Sequence, residues 1–131
     1  MEKISINTKK EKELVNIDSE IKEVILGKKW ENGILTIYTP HTTSAITINE
    51  NADPDVARDI LSHLQELIPR NADFRHLEGN SDAHILSSLL GASEQIIIEN
   101  RKMLLGTWQS IFFAEFDGPR ARNIYLKFLN S

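Results

Sequence analysis

Three of the four histidines fall in two short polar stretches, His41-Thr42-Thr43-Ser44 and His76-Leu77-Glu78-Gly79-Asn80-Ser81-Asp82-Ala83-His84. Each borders a segment patterned like regular structure, and loops held by a rigid scaffold carry binding and catalytic groups more often than core positions do. The chain has no cysteine, so a transition-metal site would have to use imidazole and carboxylate. His76 and His84 are too far apart to share one helical face as an i, i+4 zinc pair does, so their convergence requires the loop to fold back. His84 is expected at the second or third position of a helix, where free amides and the helix dipole favour a neutral, metal-competent ring. The amides of Ser81, Asp82 and Ala83 would equally suit a phosphate or carboxylate. The structural alternative is that His84 helps cap the helix while His76 is solvated.

His41 follows Pro40, whose fixed φ holds a strand exit, and is followed by three hydroxyls. Such a cluster suits an oxyanion; alternatively, Thr42 and Thr43 are β-formers in a crossover and His41 is exposed. Glu50, Asn51 and Asp53 follow the next strand directly. Glu50 is a candidate general base or outer partner of a ligating histidine, whereas Asp53 is expected to cap a helix. His63 shares an apolar stripe with Val56, Ile60 and Leu67, which points to a core or subunit contact. Trp108, beside Gly106 and Gln109, suits a ring pocket or an interface anchor. Arg120, after Gly118-Pro119, has the fork for phosphate or carboxylate, or is a solvated turn charge. Ser44 stands in no obvious triad order with His and Asp, so a serine hydrolase is not indicated.

The elements that must position these groups follow from periodicity. Segments 2–8 and 13–17 alternate around Lys9-Lys10-Glu11-Lys12 and suggest a hairpin. Asp18 or Ser19 can cap a helix carrying Ile21, Val24 and Ile25, with Gly27 as its stop. Residues 34–39 and 45–49 read as strands flanking the His41 loop. Asp53-Pro54 starts a helix running to about residue 68. Asn80 or Ser81 caps another through Leu90, which Gly91 can end in the left-handed conformation. Ile96-Ile97-Ile98 suits a central strand buried on both faces. Glu99 to Lys102 reads as a turn, and strands at 111–116 and 123–129 flank the turn 117–120. The order implies an α+β fold, a mainly antiparallel sheet with helices packed on one face.

With 131 residues, 40% of them hydrophobic, residues 1–131 are expected to form a single domain. Nineteen acidic against fifteen basic residues give a net charge of -4, and no basic block is long enough to track a phosphate backbone, so nucleic acid is not an expected partner. No signal-peptide pattern and no apolar run of about 18 residues is present, so the expectation is a soluble, cytoplasmic protein with no membrane association.

The run His41-Thr42-Thr43-Ser44-Ala45-Ile46-Thr47-Ile48-Asn49-Glu50-Asn51-Ala52-Asp53-Pro54-Asp55, with Asn80, Ala83-His84 and Gly106-Thr107-Trp108-Gln109, resembles the YjbQ family. Members are often labelled secondary thiamine-phosphate synthases, and the resemblance covers nearly the whole chain. It implies a compact α+β fold, a homotrimer, and a site built around His41, His76 and His84 near a subunit boundary. Asn80-Ser81-Asp82 replaces the Asn-Met-Pro more usual before Ala83-His84, and the loop after His76 is shorter. The activity it implies joins a pyrimidine diphosphate to a thiazole phosphate with loss of pyrophosphate.

The expected site therefore has Glu50, His84 and Arg120 as catalytic groups. Thr42, Thr43, Asn51, Asn80, Gln109 and Arg120 are expected to bind a small phosphorylated or anionic molecule. His41, His76 and His84 are the expected ligands of a divalent metal ion, zinc or magnesium. Two other classes fit the same residues: a metal-dependent hydrolase or lyase with Glu50 as base, and a non-catalytic trimeric protein holding a small anion.

Overall fold

Eight strands and three helices alternate along the chain in the computed structural model, which describes residues 1–131. They are β1 (Glu2–Asn7), β2 (Glu13–Asn16), α1 (Asp18–Lys28), β3 (Gly33–Tyr38), β4 (Ser44–Glu50), α2 (Pro54–Leu67), α3 (Ser81–Leu90), β5 (Ser93–Glu99), β6 (Lys102–Met103), β7 (Gln109–Glu115) and β8 (Ala121–Asn130). The α+β class holds. The strands divide between two antiparallel sheets, ordered β1-β8-β3-β5-β6 and β2-β7-β4.

The main core lies between the sheets. Ile4, Leu35, Ile37, Ile96, Ile98, Ile124 and Leu126 from the larger sheet meet Ile46, Ile111 and Phe113 from the smaller one, with Ile17, Ile21 and Ile25 at and along α1. Full burial of each such side chain contributes roughly 1.5–3 kcal/mol. The three-stranded sheet is covered on both sides, which explains six consecutive buried residues in β7. Its other face packs Ala45 and Ala114 against Ala83, Leu86 and Phe116, with Leu61 and Leu64 of α2 alongside. These three alanines let α3 lie close to the sheet. Ser87 Oγ then donates to Ser44 O at 2.5 Å and ties α3 to the start of β4.

Several local expectations change. β1 and β2 do not form a hairpin, because β1 pairs with β8 and β2 with β7. The charged 8–12 segment passes between sheets, its Lys9 and Lys10 amides donating to the Glu13 carboxylate. α1 is not capped by Asp18 or Ser19: its N-cap is Ile17, and the Asp18 carboxylate instead accepts the Ile111 amide at 2.8 Å. It continues through Gly27 and ends at Lys29, where φ is 57°. β5 is buried on one face only: Ile96 and Ile98 face the core, and Ile97 lies on the outer face of the five-stranded sheet, where Ile34 and Leu129 are exposed as well. Lys102, read as the end of a turn, forms β6 with Met103.

α2 begins as its sequence requires, with Asp53 accepting the Asp55 amide and proline in the first turn. None of its residues is fully buried. His63 is therefore not in a core: its side chain is exposed, 3.5 Å from Glu66. Gly91 ends α3 at φ 99° and ψ 157°, a positive φ outside the left-handed helical region. No helix is long and apolar enough to cross a membrane.

Candidate functional site

The β3–β4 loop, the start of α3 and the β7–β8 turn converge on a cleft of ≈ 430 Å³. His41, Thr42 and Thr43 come from the first loop, His76, Glu78, Asn80 and His84 from the second segment, and Asp117, Arg120 and Arg122 from the turn and β8. Pro40 apart, every lining side chain is polar or charged. The 76–84 segment folds back as convergence required: the His76 and His84 rings meet edge to face, with centroids 5.4 Å apart.

Arg122 is the best-anchored cation in the cleft. It is 3% exposed and pairs with Glu115, which is 0% exposed. Arg122 Nε donates to both Glu115 oxygens at 3.0 Å, and Nη2 donates to Glu115 Oε2 and, at 2.9 Å, to Thr43 Oγ1. Thr8 Oγ1 donates to Glu115 Oε1 at 2.7 Å. Nη1 is left with no protein acceptor while Arg122 lines the cleft, so its two N–H groups are open to an anion. The sequence reading passed over Arg122 and started its strand one residue later. The available signal was the Arg120-x-Arg122 spacing, since residues two apart on an extended strand face the same side.

His41 Nε2 accepts the Asn123 amide at 2.9 Å. That nitrogen carries no proton in this geometry, so a neutral ring holds its proton on Nδ1 and offers a donor. Burial, then the positive charge of Arg122, holds the His41 pKa below its ordinary 6.5, with Arg120 acting the same way and Glu115 opposing. Thr42 is exposed at the rim, whereas Thr43 is buried with its hydroxyl committed to Arg122. Arg120 folds back on Asp117, Nε donating to its carbonyl at 2.8 Å and Nη2 to its carboxylate at 3.1 Å.

The three histidines share this cleft, but their donor atoms do not fit a three-imidazole metal site as placed. No group of three or more His, Asp and Glu side chains is positioned to hold a metal ion. The Nε2 lone pair of His41 is occupied, and two guanidinium groups line the same space. Asp82 is not in the cleft: it is buried against Lys12, whose Nζ lies 2.8 Å away, and so tethers the 8–12 segment to α3.

Glu50, Asn51 and Gln109 lie elsewhere. Glu50 pairs with Gln109 at one end of β4 and β7, and Ser44 pairs with Glu115 at the other. Six residues of strand separate the two ends, roughly 20 Å. Glu50 and Gln109 line a separate hollow of ≈ 290 Å³ with Trp108, and the Asn51 amide donates to Trp108 O at 2.8 Å. Gln109 Oε1 is occupied by the Gly106 amide at 2.7 Å. Trp108 itself is 64% exposed and walls no part of the histidine cleft.

Residues 2–131 match the family described as UPF0047 protein YjbQ-like. The UPF0047 protein MJ1081 of Methanocaldococcus jannaschii is 59% identical over 127 residues, covering 97% of this chain and 92% of the relative. The UPF0047 protein YugU of Bacillus subtilis is 46% identical, with 96% of each covered. Among solved structures, an uncharacterised conserved YjbQ/UPF0047 protein of Clostridium acetobutylicum superposes with a TM-score of 0.96 at 47% identity, over 98% of this chain and 100% of that one. A hypothetical protein of Aeropyrum pernix gives 0.93 at 32% identity over the full length of both.

Proposed function

The chain belongs to the YjbQ-like UPF0047 family, and on that premise we propose that its histidine cleft binds a small phosphorylated compound and stabilises a departing pyrophosphate. The observation that carries this reading is Arg122, a guanidinium that lines the cleft, locked by Glu115 and Thr43 through Nε and Nη2 and with no protein acceptor on Nη1. A donor fixed before the ligand arrives needs no reorganisation when charge develops, and one such donor is worth about 10²–10³ in turnover. His41 Nδ1–H and Arg120 supply further donors, and the α3 terminus lacks a side-chain cap on its amides.

The specific reaction we propose is the one the resemblance implies. The ring nitrogen of a thiazole phosphate attacks the methylene carbon of a pyrimidine diphosphate, the carbon–oxygen bond breaks, and its electron pair leaves with pyrophosphate. The cleft accounts for the phosphates and offers no apolar wall for either ring, which fits weak activity. The homotrimer is part of the proposal, supported by Leu129, Ile34 and Ile97, exposed and in register across β8, β3 and β5. No step is assigned to zinc or magnesium, because the donor set does not fit. A hydrolase with Glu50 as base lacks that base at the cleft.

Incubating the purified protein with the two phosphorylated substrates and measuring pyrophosphate release tests the reading. We expect slow release that falls about 100-fold in Arg122→Lys, which keeps the charge and loses the fork. Pyrophosphate binding without release would favour the non-catalytic anion-binding protein. Release unaffected by Arg122→Lys would refute the assigned role.

A further inference from the structure

Building on the anion-binding reading of the same cleft, we propose that it selects an oxyanion that still carries a proton, and that Asp117 and Asn80 read that proton. The donors of Arg122 share the cleft with acceptors that have no protein partner. Asn80 Nδ2 donates to Asp117 Oδ2 at 2.9 Å, an oxygen that also accepts from Arg120 Nη2 at 3.1 Å. A carboxylate only accepts, so this contact fixes which way the Asn80 amide points. Asn80 Oδ1 is then buried with no donor, the one such side-chain atom in the molecule. Asp117 Oδ1 likewise receives no protein donor, and both residues line the cleft.

A cleft built only to hold a fully ionised anion would present donors alone. Here the cleft that Arg122 lines also carries an amide oxygen of Asn80 and a carboxylate oxygen of Asp117 without protein donors. A fully deprotonated oxyanion places lone pairs against them and leaves Asn80 Oδ1 dry, whereas an O–H on the ligand satisfies one of them. Inorganic phosphate keeps at least one O–H near neutral pH, and sulfate keeps none. The two are alike in shape, so they differ mainly in that proton. The ligand class this assigns is an inorganic phosphate, a phosphate monoester as its monoanion, or a phosphate carrying a neighbouring hydroxyl.

The test is calorimetric titration of the full chain with inorganic phosphate and with sulfate at one neutral pH and equal ionic strength. We expect phosphate to bind at least about tenfold more tightly, the effect of one buried acceptor gaining or lacking its donor. Asp117→Asn can keep an acceptor for Asn80 while turning the free oxygen into an N–H donor, so the preference should shrink toward parity, mainly because sulfate gains. Asn80→Ser, which removes the buried amide oxygen, should narrow the preference as well, and circular dichroism confirms that each variant is folded. Equal binding of both anions by the parent protein would overturn proton selection and leave the anion site standing. A preference unchanged in both folded variants would overturn the assignment to Asp117 and Asn80. Binding of neither anion would overturn the underlying reading itself.

Discussion

Truncating Arg122 leaves Glu115 charged, 0% exposed and without its bidentate partner. Breaking a buried pair from one side costs about 3–5 kcal/mol, so Arg122→Ala should lower the urea-unfolding free energy by that amount. A loss under about 1 kcal/mol would mean that water reaches Glu115 and the guanidinium is not locked. His41 makes a pH-dependent contribution of known sign. Its pKa is lowered in the folded chain by burial and then by Arg122, so below about pH 6.5 the unfolded chain takes up a proton that the folded one resists. The stability is fully present above the unfolded value and is lost as pH falls through it toward the lowered folded one. Urea midpoints between about pH 7 and pH 5 should therefore fall more steeply in the parent than in His41→Gln, and parallel slopes would contradict the shift. The loop histidines were legible in the sequence because polar loops beside regular segments stand out. Arg122 was not, because its role depends on a buried glutamate seven residues earlier, on β7 of the other sheet, that only the folded chain brings against it.

Helix starts with a local mechanism were readable. Asp53-Pro54 caps α2 as expected, because the capping bond spans two residues and needs nothing distant. Asp53→Ala should cost about 1 kcal/mol, measured by urea denaturation, and no change would show that α2 frays independently of the transition. Strand partners were not readable in the same way. The 2–8 and 13–17 segments carry hairpin alternation, but their partners are β8 and β7, each about a hundred residues or more away. The 8–12 segment is instead held by the β7–β8 turn: Gly118 N donates to Glu11 O at 2.9 Å. A Cβ at Gly118 would lie 2.3 Å from Lys10 O, so Gly118→Ala must push that segment away from the wall of the cleft. We expect destabilisation of about 1–3 kcal/mol together with weakened phosphate binding, and normal behaviour in both would show that the segment gives freely.

Across the whole molecule, the α+β class was legible from the order of elements, while the division into two sheets was not, since alternation marks a buried face without saying which sheet owns it. The same holds for the site. Glu50 follows His41 closely in sequence, yet β4 carries it to the far end of the strand, where it pairs with Gln109 of β7. Light scattering should give about three times the 14.9 kDa chain mass if the exposed Leu129–Ile34–Ile97 row supports a trimer; a monomer mass would refute that assembly. The central claim, an oxyanion held at Arg122, is tested most directly by an amide ¹H–¹⁵N NMR titration with inorganic pyrophosphate. Saturable shifts concentrated at Thr42, Thr43, Asn80, Ser81 and Asn123, and absent from Glu50, Asn51 and Gly106 to Gln109, are the predicted result. No shifts, or shifts centred on the Glu50 and Trp108 end, would contradict it.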